Sequence, residues 1–72
     1  MSKAIYSTGH KHLIEKLKQA RIDTGLDQKE VAKKLGKSQS YISKIESGQR
    51  RVDVIKLKEF ADIYKRDINY FI

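Results

Sequence analysis

The sequence has no cysteine, no proline, only two histidines and no long apolar run. Without cysteine there is neither a disulfide framework nor a thiolate metal site. With His10 and His12 as the only imidazoles, a zinc site is not expected, and no cofactor is. The longest apolar run, Tyr70-Phe71-Ile72, falls far short of the roughly 20 residues that span a bilayer. Residues 1–8 hold no apolar segment of signal-peptide length. These absences predict a soluble, cytoplasmic protein with no membrane partner. At 72 residues the chain is expected to be one small domain, burying only about 60% of its unfolded surface. That leaves little room for a core together with an enclosed catalytic pocket. A binding surface is easier to build.

Zero proline, four glycines and abundant Lys, Glu, Leu and Gln suit helices, and no stretch alternates as a strand requires. Gly9, Gly25, Gly36 and Gly48 punctuate segments of helical periodicity. The first segment spans about Thr8 to Asp23, with His10, Leu13, Ile14, Leu17 and Ala20 on one face. Asp27 and Glu30 form a capping-box pattern ahead of Val31, Ala32 and Leu35, and Gly36 stops that helix. Ser38 is a natural cap for a third helix, Gln39 to about Glu46, which buries Ile42 and Ile45. Asp53 caps a fourth, whose apolar face is Val54, Leu57, Ala61 and Tyr64, with Phe60 beside it. Asp67 opens a short fifth element containing Ile68 and Phe71.

Sixteen Lys and Arg against nine Asp and Glu give a net charge of +7. Such an excess suits a polyanionic partner such as nucleic acid, although by itself it is equally consistent with solvating charge. It is unevenly placed. Residues 29–51 carry seven bases against two acids, whereas residues 53–72 carry four of each.

Two short helices joined by a glycine-containing turn form a helix-turn-helix signature over residues 27–47. The specific residues are Gln28, Val31-Ala32, Leu35-Gly36, Ser38-Gln39-Ser40-Tyr41-Ile42-Ser43 and Ile45-Glu46-Ser47-Gly48. In them the chain resembles the phage repressor/Cro, or xenobiotic-response-element (XRE), family of helix-turn-helix DNA-binding domains. The similarity runs from about Leu13 to Phe71. It implies an all-α, compact five-helix lambda-repressor-like domain whose third helix enters the major groove of double-stranded DNA. It also implies a bacterial or phage transcriptional regulator, a repressor, acting as a homodimer on a (pseudo)palindromic operator.

The resemblance carries residue roles with it. Gln39, Ser40, Ser43 and Lys44 match the family's base-reading positions, and these side-chain types can hydrogen-bond base edges. Gln28 is implied to touch a phosphate and brace Gln39. Lys29, Lys37, Arg50 and Arg51 then become phosphate contacts, which set register without reading sequence. Tyr41 is open between a DNA-backbone or thymine contact and packing over the turn. Lys33 and Lys34 are expected to be solvated surface. Arg21 and Glu46 match a structural salt bridge that clamps the third helix.

Two departures stand out. Lys65-Arg66 occupies the turn where the family usually has glycine, which predicts a tight or strained link. Residues 1–7, with Ile5 and Tyr6, exceed the minimal core and are expected to form a loose arm, or alternatively to pack against the first helix. At the other end, Tyr70 and Ile72 are candidates for a dimer interface, or alternatively complete the monomer core.

An enzyme needs converging titratable groups, and neither a Ser-His-Asp nor a paired-carboxylate spacing is present. The main competing reading is an antitoxin or adaptor module of the same fold, acting through an unidentified protein partner or antirepressor. RNA recognition generally uses stacking aromatics on an open face, which this pattern lacks.

Overall fold

The computed structural model describes residues 8–72. The arm expected over residues 1–7 lies outside them. Four α-helices follow in order: α1 (Thr8–Thr24), α2 (Gln28–Leu35), α3 (Gln39–Glu46) and α4 (Val54–Tyr64). The expected fifth helix is a single 3-10 turn, Ile68–Phe71. No strand occurs among the described residues.

The starts of α2, α3 and α4 follow from side-chain capping. The Asp27 carboxylate accepts from the Glu30 N–H at 2.7 Å while the Glu30 carboxylate accepts from the Asp27 N–H at 2.8 Å. The Ser38 hydroxyl accepts from the Tyr41 N–H, and the Asp53 carboxylate from the Lys56 N–H. Each cap satisfies a backbone donor that a helix start leaves free, typically contributing about 1 kcal/mol.

All four helices end in one way. The chain turns through a left-handed residue, and the next N–H reaches back five residues: Leu26 to the Arg21 carbonyl, Lys37 to Ala32, Gln49 to Lys44 and Arg66 to Ala61. Glycine supplies that conformation in the first three cases, as at Gly36 with φ 74°. At the fourth it is Lys65, with φ 55°. A side chain in that region costs roughly 1–2 kcal/mol because Cβ crowds the following carbonyl. The strained link expected at Lys65-Arg66 is therefore a left-handed lysine.

Apart from the Tyr64 hydroxyl the core is apolar, and no charged residue is buried among those described. Leu17 and Ala20 from α1, Val31 from α2, Ile42 and Ile45 from α3, Phe60 from α4 and Phe71 from the closing turn are almost fully enclosed. The larger of these side chains contribute about 1.5–3 kcal/mol each. α2 and α3 pack against each other most extensively, and Ala32, a small residue at 3% exposure, permits their close crossing. One assignment needs correction. Val54 does not join the buried face of α4; it is 63% exposed, as is its neighbour Ile55 at 66%. Val54 is the first residue of α4, ahead of the core, so the buried stripe begins at Leu57.

Candidate nucleic-acid interface

α3 is amphipathic across its eight residues. At about 100° per residue, Gln39, Ser40, Ser43 and Lys44 occupy one continuous side, and all four are exposed. Ile42 and Ile45 occupy the opposite side and are buried. The core therefore grips α3 from behind and leaves a polar ridge of one amide, two hydroxyls and one ammonium facing solvent. The hydroxyls are short enough to keep the ridge slim.

Behind the ridge, three segments meet at the Glu46 carboxylate. Arg21 of α1 donates through Nε to Glu46 Oε2 at 2.7 Å and through a terminal nitrogen to Oε1 at 3.1 Å. Its other terminal nitrogen donates to the Leu26 carbonyl at 3.1 Å. The pair is largely enclosed, with side-chain exposures of 14% for Arg21 and 5% for Glu46. The hydrogen bond with Glu46 raises the Arg21 pKa above its ordinary value, against a smaller opposing effect of burial. Glu46 is the last residue of α3, where the helix dipole disfavours a carboxylate. The Arg21 guanidinium compensates for that position and ties α3 to α1.

Gln28 differs from its implied role in the residue that it braces. Its side-chain amide donates to Glu46 Oε1 at 3.1 Å, so it braces the far end of α3 and not Gln39. The reason is positional: Gln28 opens α2 beside the Arg21–Glu46 pair, and the enclosed carboxylate has acceptor capacity left for it. Sequence reasoning missed this link because no spacing rule joins residues 28 and 46.

The basic residues expected around the ridge, Lys29, Lys37, Arg50 and Arg51, are all exposed, and so are Lys33 and Lys34. Tyr41 is half-buried and packs against the core. Its ring has the Lys37 ammonium 5.3 Å and the Arg50 guanidinium carbon 4.7 Å from its centroid. Beyond α3, the Gln49 side chain donates to the Ser47 hydroxyl, which in turn donates to the Lys44 carbonyl. Gln49 was not singled out by sequence, and Ser47 only as part of the closing motif; the one signal for Gln49 was adjacency to the Arg50-Arg51 pair.

The two carboxyl-terminal candidates separate. The Tyr70 ring lies within its own chain, with Lys16 Nζ at 4.6 Å, the Arg66 guanidinium at 4.7 Å and Phe71 edge-on at 5.0 Å. Arg66 also pairs with Asp23 at 3.3 Å. Ile72 is 76% exposed. Burial pushes the Tyr64 phenol pKa up, and its hydroxyl is enclosed with no hydrogen-bond partner.

Among the described residues no group of three or more His, Asp or Glu is placed to hold a metal ion. No helix among them is long and apolar enough to cross a membrane. A family model described as helix-turn-helix matches residues 17–71. No curated protein matches the chain.

Proposed function

The chain belongs to the XRE-type helix-turn-helix family of DNA-binding regulators, and we propose that it reads a specific operator by laying α3 in the major groove. A groove about 12 Å wide admits one helix, and the exposed ridge of α3 is the side free to enter it. Gln39 at the first helical position would pair bidentately with adenine N6 and N7, and Lys44 with guanine O6 or N7. Ser40 and Ser43 would take either kind of base edge. Lys29, Lys37, Arg50 and Arg51 supply phosphate contacts. The single observation that carries this reading is the division of α3, with its isoleucines buried and its polar side exposed amid the chain's charge excess.

The reading includes repression as a homodimer on a (pseudo)palindromic site. The described residues extend 34 × 25 × 20 Å, while half-sites on one face of DNA recur about every 34–36 Å. Two copies bound side by side are thus close enough to touch. Ile72 is the better terminal contact, since Tyr70 is engaged within its own chain. Val54 and Ile55, exposed at the start of α4 just after the basic link, add a second apolar candidate.

Selection of bound sites from a random duplex pool tests the proposal. The expected result is an enriched motif with two inverted half-sites separated by about one helical turn. Salt-insensitive association or recovery of no motif overturns it and favours a module acting through a protein partner.

A further inference from the structure

We infer that Tyr41 is a positioning residue for the DNA backbone: its ring holds Lys37 and Arg50 in place as a ready pair of phosphate-binding cations. The inference rests on the proposed DNA-binding function and adds to it a part that the base-reading ridge does not supply.

Lys37 lies in the turn before α3 and Arg50 in the link after it, yet both cationic groups sit within 5.3 Å of one ring centroid. The ring itself is anchored. Tyr41 packs on the core, and its N–H is held by the Ser38 carbonyl and hydroxyl. Three other basic side chains are paired with carboxylates: Arg21 with Glu46, Lys56 with Glu59 and Arg66 with Asp23. Lys37 and Arg50 make no ion pair among the described residues. The contrast with Tyr70 is informative, since the arginine over that ring is already paired with Asp23.

Long basic side chains lose rotamer freedom when they bind, and a partner that orders them beforehand removes much of that loss. Stacking suits the task. A guanidinium lying over an aromatic face keeps its N–H donors directed outward in its own plane, and an ammonium over a ring keeps donors pointing away from it. Both cations can therefore rest on Tyr41 and bind phosphate at the same time.

Because phosphate contacts are independent of sequence, a mixed-sequence 30-base-pair duplex is a sufficient probe. Fluorescence anisotropy would compare the full chain with Tyr41→Phe and Tyr41→pentafluorophenylalanine. The second keeps the ring's size but removes the negative face that attracts cations. Thermal melts of each variant would report folding. The expected result is Tyr41→Phe within about 2-fold of wild type and the fluorinated variant about 10-fold weaker, with unchanged melts. That difference should vanish when Lys37→Gln and Arg50→Gln are also present. Equal affinity for the two ring variants overturns the inference while leaving DNA binding intact. A large loss with Tyr41→Phe also overturns it, because the hydroxyl would then be the contacting group. If the wild-type chain shows no salt-dependent binding to the duplex, the DNA-binding reading itself is what fails.

Discussion

Gln39 and Tyr64 show how differently single side chains are used in so small a molecule. Gln39 is exposed and owes nothing to the core, so its replacement should leave folding untouched. Gln39→Ala is expected to cost about 1–3 kcal/mol at one base-pair position. Competition with duplexes substituted position by position checks it, and uniform loss across all sequences would remove Gln39 from base reading. Tyr64 is the opposite case. Its ring stacks on Phe60 with centroids 5.9 Å apart, but its enclosed hydroxyl has no hydrogen-bond partner. Burying such a group costs about 1–3 kcal/mol. Tyr64→Phe keeps the stack and should stabilise the fold by about 1 kcal/mol, raising Tm by roughly 4–8 °C for this size. A lower melting temperature would mean that the hydroxyl is hydrogen-bonded in solution.

At the scale of elements, the decisive feature is how α3 is held. Its buried side is gripped by apolar packing and its carboxyl-terminal end by Glu46, which takes hydrogen bonds from Arg21 and Gln28. Arg21→Ala leaves a carboxylate that is only 5% exposed without its cation, and breaking a buried pair costs about 3 kcal/mol or more. The expected loss of more than about 10 °C in Tm is measurable by thermal denaturation, and an unchanged melt would dismiss the clamp. Much of this element structure was legible in the sequence, because caps and stops are local. Asp27 with Glu30, Ser38 and Asp53 announce helix starts through their own backbone reach, and Gly36 announces a stop. What escaped was non-local. Gln28 joins Glu46 and not Gln39 only because α1, α2 and α3 converge there, and Lys37 and Arg50 share the Tyr41 ring only after α3 is docked. Val54 was misplaced because periodicity gives a direction around a helix axis, not the height at which the core begins.

For the whole molecule the question is how a domain with a single small core reaches useful affinity. Its charge is polarised, with most of the excess in residues 29–51 and none in residues 53–72. The balanced part carries the exposed Ile72, Val54 and Ile55, so a second copy can approach there without charge repulsion. Two linked half-site contacts multiply affinity through effective concentration. Sedimentation equilibrium should show a concentration-dependent dimer that is weakened by Ile55→Glu or Ile72→Glu. A mass that stays monomeric at all concentrations, with and without DNA, would leave each domain binding alone.

Lys65 gives the molecule an intrinsic suppressor site. Held at φ 55° on the exposed, charge-balanced side, it carries a backbone strain that touches neither the α3 ridge nor the Arg21–Glu46 pair. Lys65→Gly should recover about 1 kcal/mol, the released strain exceeding the extra freedom that glycine gives the unfolded chain. Introduced into a clamp-weakened chain, it separates two kinds of defect. A variant that loses DNA binding because too little of it is folded is rescued by Lys65→Gly. A variant that loses binding because α3 is misoriented melts higher and still fails to bind.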